Sequence, residues 1–237
     1  MMSLSKEWAL LSKAMYGQRF IDEFARFLNW QNIKTILECG CGDGYILQGL
    51  AKRGFSGLGI DSSEEMISMA LENHQHPDVN YILLDWLQLD EIKVKYDAVI
   101  CRGNSLSCVN GWDNKNFKPE KAEKMIEESI RLFIEKISSG GILYVDTKSE
   151  KETEGKIIIN IENINLEGAI EYDHVRKTRR VFGAGQVYGE RFEGSSLGYL
   201  LEAAELEEMI RKYDMSRIWH QKLEAESNYE AMCARKM

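Results

Sequence analysis

The stretch Ile36–Gly44, ILECGCGDG, decides how the chain is read. Ile36 and Leu37 end a short apolar run that reads as a buried strand. Glu38 follows, and then glycine recurs at 40, 42 and 44. Glycine at alternate positions suits a backbone that turns sharply and lets a ligand approach, because Cβ atoms would obstruct both. The segment from Tyr45 to Arg53 reads as a helix, so the amides at its start face whatever the loop holds. Strand, glycine loop and helix in that order describe a nucleotide-type site.

The dinucleotide fingerprint is G-x-G-x-x-G, with an acidic ribose ligand about 20 residues on. Here the spacing is G-x-G-x-G with an acidic residue just ahead of the first glycine. That arrangement resembles motif I of class I S-adenosylmethionine-dependent methyltransferases, and the spacing argues against a dinucleotide-dependent oxidoreductase.

Working outward, the pattern alternates strands and helices. Trp8–Tyr16 reads as a helix, and Phe20, Phe24, Phe27 and Leu28 fall on one face of a second. Strands are expected at Thr35–Cys39, Gly57–Ile60, Asn80–Leu84, Ala98–Cys101 and Ile142–Asp146. A helix over Pro119–Ile137 precedes the last of these, with Ser139-Gly140-Gly141 as its stop. Such alternation implies βαβ crossovers and a parallel sheet. From Lys156 to Phe192 apolar and polar residues alternate in short runs. That predicts an antiparallel β insertion after the fifth strand, with Gly183-Ala184-Gly185 as a turn. A helix from Leu200 to Tyr213 and strands near Ser216–Leu223 and Tyr229–Arg235 close the chain. The fold class is therefore α/β, as one domain. Residues 1–34 are expected as N-terminal helices, 35–148 as a cofactor-binding core, 150–197 as the antiparallel insertion, and 198–237 as the C-terminal helix and last two strands; the resemblance implies that the first segment lies over the site and that the insertion is its lid.

The composition is that of a globular chain, 44% hydrophobic and 29% charged. A net charge of −8 repels phosphate backbones, and only Arg176–Arg180 approaches a basic patch, so no nucleic-acid partner is expected. The opening residues have no apolar signal segment, and no apolar run is long enough to cross a bilayer, so no membrane partner is expected. The five cysteines have neither disulfide-framework nor zinc-knuckle spacing, which points to reduced thiols, a cytoplasmic location and no metal.

In open parallel sheets the ligand crosses the carboxyl ends of the strands. The residues there are Glu38, Asp61, Asp85 and the segment Cys101–Ser105. A carboxylate at Asp61 can accept from ribose hydroxyls, and one at Asp85 from an adenine amino group, with Trp86 as a flat face. Three acidic strand ends behind a glycine loop exceed what helix capping requires.

The order of these pieces resembles the class I methyltransferases over nearly the whole chain. The resemblance implies a Rossmann-like, seven-stranded, mostly parallel sheet with helices on both faces and an antiparallel last strand. It implies S-adenosyl-L-methionine as cofactor and S-adenosyl-L-homocysteine as product. Glu38, Gly40, Cys41, Gly42 and Gly44 would surround the methionine part. Asp61, Ser62 and Met66 would lie at the ribose, Asp85, Trp86 and Leu87 at the adenine, and Cys101, Arg102 and Gly103 along the fourth strand end. A narrower resemblance lies in YDAVICRGNSL, Tyr96–Leu106, which is similar to a segment of glycine and sarcosine N-methyltransferases. Here Arg102 stands where an apolar residue is expected, and Asp146-Thr147-Lys148-Ser149 lacks the asparagine that helps bind glycine.

The resemblance implies methyl transfer to a small-molecule acceptor, most readily an amine nitrogen. Oxygen methylation and non-catalytic cofactor binding are the alternatives. Tyr16, Arg102, Asn104 and His174 are the candidates for the reacting end. Tyr16, or Tyr45 in its place, would close over the sulfonium. Arg102, or one of Arg176, Arg179, Arg180 and Arg191, would clamp an acceptor carboxylate. His174 would reach the acceptor from the insertion. His74 and His76 read as a solvated helix end.

Overall fold

The computed structural model describes residues 4–109, 117–161, 163–225 and 229–237. Two helices, α1 (Leu4–Met15) and α2 (Gln18–Trp30), precede the sheet. The core then alternates β1 (Thr35–Cys39), α3 (Tyr45–Ala51), β2 (Ser56–Asp61), α4 (Glu64–Asn73), β3 (Val79–Leu83), β4 (Tyr96–Cys101), α5 (Pro119–Glu135) and β5 (Ile137–Lys148). The insertion consists of β6 (Gly155–Ile161), β7 (Ile164–Asp173), β8 (Thr178–Val187) and β9 (Glu190–Tyr199). After it come α6 (Ala203–Arg211), β10 (Met215–Gln221) and β11 (Tyr229–Lys236).

The main sheet has seven strands in the order β10-β11-β5-β4-β1-β2-β3. β1 to β5 run parallel to one another, and β11 runs antiparallel to both β5 and β10. Successive side chains of a strand point to opposite faces, and the two cores follow that parity. Ile36, Ala98, Ile100, Ile142 and Tyr144 pack against α2 and α3 through Phe20, Phe24 and Leu47. Leu37, Val99, Cys101, Leu143 and Val145 pack against α5 and α6 through Ile126, Ile130, Phe133 and Leu206. A third cluster joins Leu11 of α1 to Ile164, Leu166, Val187 and Phe192 of the insertion. Among the described residues no helix is long and apolar enough to cross a membrane.

Three sequence expectations are corrected by the structure. Ser139-Gly140-Gly141 is not a helix stop. α5 ends at Glu135, and the Lys136 carbonyl already accepts from Tyr96 N (2.8 Å) as β5 begins. The glycines instead allow an irregularity within β5, where pairing jumps from Tyr96–Ile137 to Ala98–Ile142. Gly140 is left-handed there (φ 76°).

Nor is Gly183-Ala184-Gly185 a turn, for it lies inside β8. Gly183 pairs with Gly168 on one side and Gly194 on the other. A Cβ at Gly168 would meet the Phe182 carbonyl at 2.0 Å, so close backbone approach sets the requirement. The tight turn is Tyr188-Gly189, both left-handed, between the paired residues Val187 and Glu190.

His74 is not solvated either. It is half-buried, with Nδ1 3.3 Å from Gln48 Oε1 and Nε2 3.3 Å from Asp43 Oδ2.

Candidate active site

The glycine loop is fixed by the end of β2. Gly40 N and Cys41 N both donate to the Ile60 carbonyl, at 2.8 and 3.0 Å. Gly42 N donates to Asp61 Oδ2 (2.9 Å), while Asp61 Oδ1 accepts from Ser63 N (2.9 Å). Burial pushes the Asp61 carboxyl up, and the amides of Ser63, Gly42 and Ser62 oppose the rise. Each of its oxygens has a second lone pair for a ligand. Gly44 is left-handed (φ 78°) at the start of α3, and a Cβ there would stand 2.6 Å from the Tyr81 ring.

Next along the sheet, Asp85 Oδ1 accepts from Leu87 N (2.9 Å), capping a short 3-10 turn. The Trp86 ring meets Phe133 edge-on at 5.9 Å and backs onto Gly40. Trp86 Nε1 is buried without a hydrogen-bond partner among the described residues.

On the other side of β1, the loop after β4 is pinned by a residue that sequence reasoning had not assigned to the site. Asp146, buried at the end of β5, accepts from Gly103 N (2.9 Å) and Asn104 N (2.7 Å). The signal was available: another acidic residue closing an apolar strand, at the tip next to the Gly-Asn pair. Asn104 is left-handed (φ 56°), and the Ser107 hydroxyl donates to its carbonyl (2.8 Å). Arg102 is buried, its Nε 3.6 Å from Glu38 Oε1, with its guanidinium 4.6 Å from the Tyr16 ring centroid. Burial pushes the Glu38 carboxyl up to about 7, with Arg102 opposing and Asp43 and Asp61 adding to the rise.

These tips floor a cavity of about 960 Å³. Its roof is the antiparallel sheet, through Ile157, Ile159, Leu166, Ile170 and Phe192, and one side is α1, through Trp8, Leu11 and Met15. Within this apolar wall stands one bidentate ion pair, Arg179 Nε and Nη2 to Glu152 at 2.7 and 2.6 Å, joined by the Tyr172 hydroxyl at 2.7 Å. Glu152 was not foreseen as a wall residue, because it lies in the link between β5 and β6, where the sequence has no periodic pattern.

Most of the expected residues converge on this cavity: Tyr16, Glu38, Gly40, Cys41, Gly42, Asp61, Ser62, Met66, Asp85, Trp86, Arg102, Gly103 and Asn104 all face it. Gly44, Leu87 and Cys101 stand behind the wall as supports. His174 does not reach it: the residue is exposed on the β7–β8 turn, edge-on to Tyr172 at 5.9 Å. Of the inserted arginines only Arg179 reaches the cavity, whereas Arg176 and Arg191 are exposed beside Asp173 and Glu193. Tyr45 packs against His74, outside the wall. Among the described residues no group of three or more His, Cys, Asp or Glu is arranged to hold a metal ion.

Residues 36–131, which span the glycine loop and the strand tips through β4, match the methyltransferase domain family. The likeness to a methyltransferase domain is carried by that stretch. A glycine/sarcosine N-methyltransferase of Aphanothece halophytica is 30% identical over 154 residues, covering 56% of this chain and 54% of that protein. The chain spans about half the length, or less, of the first curated relatives it matches. Among solved structures, an S-adenosylmethionine-dependent methyltransferase from Clostridium acetobutylicum superposes with a TM-score of 0.72 at 12% identity, over 99% of each chain. The S-adenosylmethionine-bound amino pentose methyltransferase CalS10 from Micromonospora echinaspora gives 0.71 at 15% identity, over 92% of this chain and 90% of that one.

The fold is shared with S-adenosylmethionine-dependent methyltransferases, whose cofactor is S-adenosyl-L-methionine. The residues present fit that group. Glu38 Oε2, Trp86 Nε1 and Asn104 Oδ1 are buried polar atoms on the cavity wall without hydrogen-bond partners among the described residues. Such atoms are costly unless a ligand or ordered water completes them.

Proposed function

We propose that this chain transfers a methyl group from S-adenosylmethionine to the nitrogen of a small amine whose body is largely apolar. The observation that carries this reading is the single cavity shared by the strand tips and the inserted sheet. The floor is acidic and rich in bare backbone, and the roof is largely apolar with the buried Arg179–Glu152 pair. In this reading Asp61 accepts from the ribose hydroxyls, Asp85 from the adenine amino group, and Trp86 lies against the base. Gly40 to Gly44 run beside the methionine end. Tyr16 and Asn104 stand near the reacting centre.

When bound, the cofactor supplies an activated methyl on sulfonium sulfur. Transfer would join that methyl to the acceptor nitrogen as the C–S bond breaks with its electrons kept by sulfur, and the acceptor would then give up a proton. What the chain contributes is in-line placement and a dry roof. The apolar wall of Ile157, Ile159, Leu166, Ile170 and Phe192 supports an acceptor larger than glycine. The curated relative's name and that of the amino pentose enzyme support nitrogen over oxygen. We read the chain as one working unit of N-terminal helices, core, lid and C-terminal strands, and its free cysteines support a cytosolic location.

The test is a panel of acceptors with methyl-labelled cofactor: amines with apolar bodies, glycine and sarcosine, phenols and carboxylic acids. Label on the apolar amines is the expected result. Label only on phenols or acids overturns the nitrogen assignment, and label only on glycine or sarcosine overturns the size argument. The absence of S-adenosylhomocysteine with every acceptor overturns catalysis by this chain.

A further inference from the structure

Across the sheet, the strand tips carry Asp85 after β3, Asp61 at the end of β2, Glu38 in β1 and Arg102 after β4. Three carboxyl groups are succeeded by one guanidinium. That guanidinium is poorly matched by the protein itself. Arg102 is 8% exposed, and its Nε lies 3.6 Å from Glu38 Oε1, beyond hydrogen-bond reach. Its Nε and Nη1 have no hydrogen-bond partner among the described residues. The rings of Tyr16 and Phe20 lie 4.6 and 5.0 Å from its central carbon, and they offer no in-plane acceptor. Buried arginines are ordinarily held by a bidentate carboxylate. The Arg179–Glu152 pair in this same cavity has that geometry, and Arg102 does not.

Two further atoms nearby are also unmatched, Glu38 Oε2 and Asn104 Oδ1, and both residues face the same cavity. A buried cation short of acceptors, beside an acid and an amide oxygen short of donors, complements a group that carries both charges. An α-amino acid is such a group. We infer that Arg102 anchors the carboxylate of the cofactor's amino-acid end, with Glu38 and Asn104 receiving its ammonium. The inference rests on the proposed cofactor placement and adds to it the residue that selects the cofactor's charged tail. The order of the tips favours the cofactor over an amino-acid acceptor. Asp85 and Asp61 take the base and ribose, so in a molecule laid along the tips the portion beyond the ribose meets the next two. Arg102 thus serves the donor, not the acceptor.

Binding separates these possibilities without turnover. Titration calorimetry is run with S-adenosylhomocysteine, its decarboxylated analogue, which keeps the amine, and 5′-methylthioadenosine, which lacks the whole tail. The wild-type protein is expected to bind S-adenosylhomocysteine roughly ten- to a hundredfold more tightly than the decarboxylated analogue. Equal affinity for those two ligands overturns the inference and needs no variant. Arg102→Leu is expected to lose a similar factor for S-adenosylhomocysteine while holding 5′-methylthioadenosine within about twofold, and Arg102→Lys to recover part of the loss. Parallel loss of both ligands would make Arg102 a structural support only. Unchanged S-adenosylhomocysteine affinity with a raised acceptor KM would move it to the acceptor. If the wild-type protein binds none of the three ligands, the cofactor reading fails first and this inference falls with it.

Discussion

The floor and the roof of the cavity are built on different principles. The floor is a row of loop segments at the tips of parallel strands, where backbone geometry and single side chains are held by named hydrogen bonds. Asp61 ties Gly42 to Ser63, and Asp146 ties Gly103 and Asn104 to β5. The roof is a meander whose inner face is aliphatic and whose shape comes from glycines pairing across strands, Gly168 with Gly183 and Gly183 with Gly194. A hydrogen-bonded floor fixes one ligand closely; an aliphatic roof fixes only size and polarity. The contrast suits the proposed placement, with a common donor on the floor and the variable acceptor under the roof.

The sharpest way to break that division is at Asp61. Replacing it with alanine removes two backbone anchors together with the proposed ribose acceptor, so Asp61→Ala is expected to weaken cofactor binding roughly ten- to a hundredfold. Calorimetric affinity equal to wild type would remove Asp61 from the donor half. Arg179→Ala probes the opposite half. It leaves Glu152 buried with only the Tyr172 hydroxyl beside it, and a rise in acceptor KM of roughly tenfold is expected, with cofactor Kd within about twofold of wild type. Steady-state kinetics beside calorimetry decide it, since equal losses in both would mean that floor and roof are not separate.

A smaller effect concerns protons. The Glu38 carboxyl is raised from its ordinary 4.5 to about 7 by burial, partly offset by Arg102. Between those values the folded protein holds a proton that the unfolded chain has released, so this group's contribution to stability falls as pH rises through the window. A ligand ammonium at Glu38 favours its ionised form, so cofactor binding near about pH 6.5 is expected to release a proton. Titrations in buffers of different ionisation enthalpy measure it, and Glu38→Gln should abolish the release. Proton-neutral binding by the wild-type protein would mean that Glu38 is ionised before the ligand arrives. The smallest change is expected at His174, exposed and outside the cavity: His174→Ala should leave kcat/KM within about twofold. A larger loss would extend the acceptor site to the β7–β8 turn.

Legibility in the sequence divides along the same line. The expected bounds of β1 match the observed ones, those of β2 to β4 lie within about two residues, and β5 starts earlier than expected, at Ile137; apolar runs leading to Glu38, Asp61 or Asp85 carry both the strand and its tip in nearby positions. Asp146 was read as a strand end but not as a clamp, since its partners, Gly103 and Asn104, lie 43 and 42 positions away. In the roof, alternation predicted the strands, yet Gly183 and Gly185 were taken for a turn. A glycine that bends a chain and one that admits a neighbouring backbone look alike until the pairing is known. The same applies to the arginines. Of four candidates on one insertion, Arg176 lies in the β7–β8 turn and Arg179, Arg180 and Arg191 lie on strands, where Arg179 alone faces inward to Glu152.

The third apolar cluster couples two pieces of chain that are far apart in sequence. Leu11, from the first helix, sits among Ile164, Leu166, Val187 and Phe192 of the roof. Anyone grafting a different roof onto this scaffold to alter its choice of acceptor would therefore have to transplant the opening helix as well. Left behind, Leu11 would face a surface shaped for another side chain, and the borrowed strands would lose the prop that seats them above the floor.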